Sequence, residues 1–329
     1  MNMSNAQLIE KAVKNNPLYS IFNRPEVDHI LRDATLIRTP WRGEPSDRSL
    51  SIKCGNVKDS ADLIHLFGLN RKSFPTKFDE ATDGDGQEAR RIRTLHSSSL
   101  ISLLCFYDVS ALKPLRLTVD GRTVSFTTPC FEVKNPVGID ESGQTHNSNI
   151  DVVLLGAELE SGKPVVLFLE SKFSEYLTWG KYSKISTRVY EKIYSLLSES
   201  GCLEQMGLKI DDNAEEEGYS VLSSIKGRTR HYAGGIKQMV SHFLGVQNVA
   251  NDYRDSGYDV YLGEILYSFP DSIDNNHDKF EDYCQLYGTL AKGLNGLADN
   301  FKVVEQCFTY QDVFREYDLD HAVKTFYSL

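Results

Sequence analysis

Apolar residues recur along this chain with two periods, and the period decides the element. Ile236, Met239, Val240, Phe243 and Leu244 fall at i, i+3, i+4, i+7 and i+8, the stripe of an amphipathic helix. Leu8, Ile9, Ala12 and Val13 repeat that spacing ahead of Pro17, and Val27, Ile30 and Leu31 predict a second short helix. The run from Ala61 predicts a helix closed by Gly68. Ile92, Leu95, Ser99, Leu103 and Phe106 share a face and predict a helix from Glu88 to about Tyr107. Three more are expected over Trp179–Leu197, Phe280–Leu294 and Tyr310–Tyr317, the last capped by Thr309.

Alternation with period two marks the strands. Leu115–Val119 and Arg122–Phe126 alternate around Asp120-Gly121, a hairpin signal. Cys130–Lys134, Tyr258–Tyr267 and Lys302–Phe308 read as further strands, and the polar Gly138–Asn149 as a loop. Two β-branched runs, Asn149–Leu155 and Val165–Leu169, flank Glu160-Ser-Gly-Lys-Pro164 and predict a second hairpin, whose consecutive Leu167, Phe168 and Leu169 imply burial on both faces. Strands interleaved with helices predict an α/β fold, a mixed sheet with flanking helices. The expected domain runs over 88–329, with residues 1–87 as a helical and mixed N-terminal extension.

Composition narrows the class. In 329 residues, 40% are hydrophobic and 11% aromatic, enough for a packed core. No apolar run approaches the roughly 20 residues of a membrane span, and Met-Asn-Met-Ser-Asn-Ala lacks the basic-then-apolar pattern of a leader. A cytoplasmic protein with no membrane partner is the expectation. The six cysteines form no C-x-x-C pair, so neither a zinc site nor a disulfide framework is indicated. A net charge of −10 argues against a protein that coats nucleic acid, yet leaves room for a local basic cleft. Lys226, Arg228, Arg230 and Lys237 follow one another without an acid, and Arg90, Arg91 and Arg93 crowd another short stretch. Either group serves phosphate contact or plain solubility.

Several local patterns carry no chemistry. Asp83-Gly-Asp-Gly86 lacks the glutamate that completes a calcium loop and reads as a turn. His96 and Ser97–Ser99 would be neighbours on a helix that do not face one another, with no acid to orient the imidazole. The acidic stretch 211–217 reads as a solvated connection.

The second hairpin differs, because charge sits in its apolar strands. Asp151 lies in the first run, and Glu170 and Lys172 close the second. Period two places Glu170 and Lys172 on one face and Ser171 on the other. Pairing about Gly162 brings Asp151 close to Glu170. Two carboxylates there repel unless a cation lies between them, and a hard ion such as Mg²⁺ or Mn²⁺ suits an all-oxygen set to which the Ser171 carbonyl would add a ligand.

Asp151 followed by Glu170-x-Lys172 resembles the motif of the PD-(D/E)xK nuclease superfamily, with Ile150 where that motif carries proline. The resemblance implies a restriction-endonuclease-like mixed β-sheet flanked by helices, acids that bind Mg²⁺ or Mn²⁺, and a lysine that positions or activates the attacking water. It makes Glu132 a candidate third acid, with Glu88 competing for that role. It also makes Gln238, in Gly235-Ile-Lys-Gln-Met-Val240, a candidate cleft glutamine with His242 one turn on; both serve equally as solvated helix positions. The implied activity is metal-dependent hydrolysis of DNA phosphodiester bonds, with DNA as partner, Lys226, Arg228 and Arg230 as substrate-binding residues, and a homodimer as one way to cut two strands. A nuclease acting on RNA, and a catalytically silent domain that binds nucleic acid or protein, would carry the same motif.

Overall fold

The computed structural model describes residues 3–40, 50–83, 91–140, 143–177, 182–185, 187–211, 220–225, 233–273 and 276–329. It opens with α1 (Asn5–Asn15), started by a capping box in which Gln7 N–H meets Ser4 Oγ and Ser4 N–H meets Gln7 Oε1. Then come α2 (Pro25–Ile30), the antiparallel pair β1 (Leu36–Pro40) and β2 (Leu50–Cys54), α3 (Ser60–Phe67) and α4 (Phe74–Thr82). Gly68 ends α3 at φ 66°, a left-handed conformation that glycine adopts without strain. Of the helix expected from Glu88 to about Tyr107, residues 88–90 lie outside the described residues, and α5 is Ser98–Phe106. Just before it, Thr94 forms an isolated bridge with Lys53 of β2, Cys54 N–H donating to the Arg93 carbonyl and Leu95 N–H to the Ile52 carbonyl, while Thr94 N–H and Ser97 N–H close turns on the Arg91 and Thr94 carbonyls.

The central sheet contains β3 (Leu115–Val119), β4 (Arg122–Ile139), β5 (Thr145–Glu158) and β6 (Pro164–Lys172), joined as an antiparallel meander. The Asp120-Gly121 turn is present, with both residues at positive φ. Contrary to the expected separate strand and loop, β4 continues through Cys130–Lys134, and its ladder with β5 runs out to Ile139 opposite Thr145. Register shifts between Phe126 and Thr128 and between Pro136 and Gly138 bend the strand without losing its partner.

Past β6 the chain forms β7 (Tyr182–Ile185), α6 (Thr187–Glu199), α7 (Cys202–Gln205), β8 (Leu208–Asp211) and β9 (Ser220–Ser224). Of the helix expected over Trp179–Leu197, residues 179–181 and 186 lie outside the described residues, Tyr182–Ile185 pairs instead with β9 in a small separate sheet, and the helix is described from Thr187. Then α8 (Ala233–Asp255) leads into β10 (Asp259–Leu266), which runs parallel to β6 and is buried at every residue. After α9 (Asn276–Asn295), the expected strand Lys302–Phe308 is two short pieces, β11 (Lys302–Val303) and β12 (Phe308–Thr309), each parallel to β10. Thr309 caps the next helix as expected, its Oγ1 accepting Asp312 N–H at 3.0 Å, but α10 stops at Val313. The chain closes with α11 (His321–Tyr327).

The result is a mixed sheet in the order β11, β10, β6, β5, β4, β3 with helices on both faces. Across one face lies α8, touching β4, β5, β6 and β10; on the other, α5 packs against β5 and β6. The N-terminal elements share the same apolar core. Phe22 and Phe67 both pack on Phe326, and the Arg24 guanidinium donates to the Thr325 and Phe326 carbonyls at the end of α11. Among the described residues no helix is long and apolar enough to cross a membrane.

Candidate active site

The last ladder pair between β5 and β6 at the far end from their turn is Val152 with Leu169. One step further, Asp151 comes opposite Glu170, as the hairpin reading expects. Lys172 stands on the Glu170 face, and its Nζ donates to Glu170 Oε1 at 2.6 Å, with both side chains almost wholly enclosed. Asp151 Oδ2 accepts the Ser171 N–H at 2.7 Å. Because the N–H and C=O of one strand residue point the same way, the Ser171 carbonyl also faces Asp151. Its hydroxyl turns to the opposite face, toward the Ser98 carbonyl at 3.3 Å and the Tyr310 hydroxyl at 2.7 Å.

Glu132 joins them from β4. Phe131 pairs with Val152 and Val133 with Ile150, so Glu132 lies opposite Asp151, in a left-handed conformation at φ 49° that costs a glutamate energy. On the other flank, Glu264 of β10 is the ladder partner of Glu170. Four acids therefore stand in register across β4, β5, β6 and β10. Glu264 is fully buried and accepts the Tyr283 hydroxyl at 2.8 and 3.1 Å on its two oxygens.

From above, α8 brings two side chains down to this row. Gln238 Oε1 accepts Lys172 Nζ at 2.7 Å while the Gln238 residue remains exposed, so this glutamine links the enclosed ammonium to the surface. His242, open in the sequence between a cleft and a solvated position, is buried. Its Nε2 lies 2.7 Å from Glu170 Oε2, off the line of a straight hydrogen bond, and its Nδ1 is 2.6 Å from Ser148 Oγ. The helix comes this close because Gly245 has no side chain: a Cβ there would stand 2.9 Å from Ser148 Cβ and 3.0 Å from Asn135 Cβ. Glu264 is the residue the sequence reading passed over, and His242 entered it only as the residue one turn from Gln238. The signal for Glu264 was present, a carboxylate inside an apolar strand, whereas nothing local marks His242 as buried.

The two facing acids are electrostatically unlike. Burial raises the Asp151 carboxyl well above its ordinary value, and the charges of Glu170 and Glu132 push it further, against the Lys172 ammonium and the Ser171 N–H. Burial works the same way on Glu170, but the Lys172 ammonium and the His242 ring outweigh it and hold that carboxyl below its ordinary value. Lys172 thus neutralises one acid of the facing pair and leaves the other in want of positive charge. An all-oxygen set of Asp151, Glu170, the Ser171 carbonyl and Glu132 suits a hard divalent cation by donor chemistry. Among the described residues, however, no three His, Cys, Asp or Glu side chains are already gathered as a metal cluster.

The remaining sequence candidates fall elsewhere. Glu88, Arg90, Lys226, Arg228 and Arg230 lie outside the described residues. Arg93 reaches the Lys58 carbonyl beside the N-terminal strands. His96 turns away from its serine neighbours to the Tyr19 hydroxyl at 2.7 Å, and burial, aided by the Lys53 charge, lowers its imidazole to about 4.

No protein-family model matches this chain, and neither a curated protein nor a solved structure matches it. The acid row and its partners on α8 therefore rest on their own geometry.

Proposed function

We propose that this protein is a metal-dependent nuclease of the PD-(D/E)xK type, with a restriction-endonuclease-like fold, hydrolysing DNA phosphodiester bonds. One observation carries the reading: Asp151 and Glu170 face each other across adjacent strands with the Lys172 ammonium on Glu170 at 2.6 Å. Asp151, Glu170 and the Ser171 carbonyl would hold Mg²⁺ or Mn²⁺, with Glu132 beside them. Bound there, the cation would lower the pKa of a water ligand and stabilise charge on the phosphoryl oxygens.

The chain's own groups do the rest. Lys172 Nζ, fixed between Glu170 and Gln238, orients the attacking water by donating a hydrogen bond to its oxygen. Gln238, at the solvent side, holds the ammonium in place as substrate enters. The row is walled by α8 on one face, so electrostatic interactions within it are weakly screened and strong. Lys226, Arg228 and Arg230 would offset the acidic balance of the chain where the polyanion lies. RNA is an alternative polyanion for the same site, and a homodimer would present two such sites to two strands.

A second reading has an observation in its favour. Glu170 already has Lys172 on one oxygen and His242 on the other, an arrangement in charge balance without a cation. A catalytically silent nuclease-fold domain that binds nucleic acid or protein would look like this. Cleavage of plasmid, linear duplex, single-stranded DNA and RNA in Mg²⁺ or Mn²⁺ against chelator separates the readings: metal-dependent cutting supports the nuclease, and binding without cutting supports the silent domain.

A further inference from the structure

Ser148, His242 and Glu170 form one polar chain beneath α8, with residue exposures of 2%, 4% and 3%. In outline it resembles a nucleophile, base and acid. A serine hydroxyl so enclosed meets no substrate, so the chain has another use. Its order is defined by what each atom can offer. Glu170 Oε1 accepts from Lys172, and its Oε2 lies 2.7 Å from His242 Nε2, off the line of a straight hydrogen bond, so its two oxygens have separate neighbours. A bare nitrogen lone pair 2.7 Å from a carboxylate would repel it, so His242 Nε2 carries hydrogen. The Ser148 hydroxyl at 2.6 Å from Nδ1 then completes the ring's contacts and fixes its rotation. Gly245, whose missing side chain lets α8 settle against Ser148 and Asn135, keeps this contact short.

We propose that Ser148 and His242 are positioning residues for a metal-binding Glu170 carboxylate: Ser148 sets the His242 ring, and the ring holds Oε2 so that the remaining edge of Glu170 is presented toward Asp151. This rests on the metal-dependent reading above. Carboxylates that bind metals depend on such outer partners, and losing one weakens metal affinity about 10- to 100-fold. Both residues lie outside the Asp151, Glu170 and Lys172 motif, and neither touches substrate.

The test is Mn²⁺ binding to the full chain by calorimetry, with thermal unfolding as a check on folding and ¹⁵N imidazole shifts as a readout of the ring. Ser148→Ala removes one oxygen from a packed site and is expected to fold while weakening Mn²⁺ about tenfold and blurring the single His242 tautomer expected of wild type. His242→Leu is expected to lose as much or more, and His242→Gln, which returns an N–H near Glu170, to recover most of it. Folded Ser148→Ala that binds Mn²⁺ like wild type overturns the proposal and leaves the nuclease reading standing, and so does a glutamine variant no better than leucine. Wild-type protein that binds no Mn²⁺ overturns both.

Discussion

Lys172→Met asks how the centre of the sheet tolerates its carboxylates. The Lys172 and Glu170 side chains are 2% and 5% exposed and 2.6 Å apart. Methionine keeps most of the lysine stem and removes the ammonium, which leaves Glu170 with His242 alone and with Asp151 across the ladder. Breaking a buried ion pair by removing one partner costs about 3–5 kcal/mol, whereas replacing both charges with neutral groups of similar shape is nearly neutral. Lys172→Met should therefore lose about that much, and Glu170→Gln/Lys172→Met should recover most of it. Urea unfolding followed by circular dichroism at pH 7 with chelator gives both numbers. Adding Mn²⁺ at about 100 times its Kd should return about 2.7 kcal/mol, since a cation between the two acids replaces the missing charge. A loss below about 1 kcal/mol, the scale of an exposed pair, or a double variant no more stable than the single one, would refute the argument that this pair is enclosed.

Asp151→Asn should stabilise the metal-free protein. Its carboxyl is raised in the fold, so its contribution is full below the ordinary carboxylate value and is lost as pH rises through the raised one. At pH 7 with chelator the amide, which still accepts the Ser171 N–H, should raise stability on the order of 1–3 kcal/mol and abolish stabilisation by Mn²⁺; a lower urea midpoint would contradict this. His96 is lowered to about 4, so its stability is present above its ordinary 6.5 and lost as pH falls toward about 4. His96→Gln should flatten the wild-type loss in that window by at most ~3 kcal/mol, read from urea midpoints across pH. Gly245→Ala puts a methyl against Ser148 and Asn135 at 2.9–3.0 Å and should cost about 1–3 kcal/mol in thermal unfolding; an unchanged melting temperature would mean that α8 moves away without resistance.

The facing of Asp151 and Glu170 was legible because it depends on local terms, a turn at Gly162 and a side-chain period of two. The amphipathic stripe of α8 was legible for the same reason, and Ile236, Met239, Val240 and Phe243 are buried as their spacing requires. What failed was non-local. Tyr182–Ile185 has a helical neighbour and is a strand only because β9, far along the chain, offers its edge. The segment before Ser98 has apolar residues at helical spacing, yet the Arg93 carbonyl and the Leu95 N–H bond to β2 and break the helical pattern there. His242 reads as a polar position on a helix, and its burial follows from Gly245 letting that helix close on β4 and β5. Glu264 lies in a stretch of β-forming residues, and only the parallel register with β6 makes it the neighbour of Glu170.

The central claim, that the Asp151, Glu170 and Lys172 constellation performs metal-dependent phosphodiester hydrolysis, is tested most directly by single-turnover cleavage with purified protein in excess over labelled plasmid, linear duplex, single-stranded DNA and RNA. Wild type should cut at least one DNA substrate in Mg²⁺ or Mn²⁺ and none in chelator, and Asp151→Asn and Lys172→Met, checked as folded, should lose most of that rate. Wild-type protein that cuts nothing in either metal, or a rate unchanged by chelator or by these two substitutions, would contradict it.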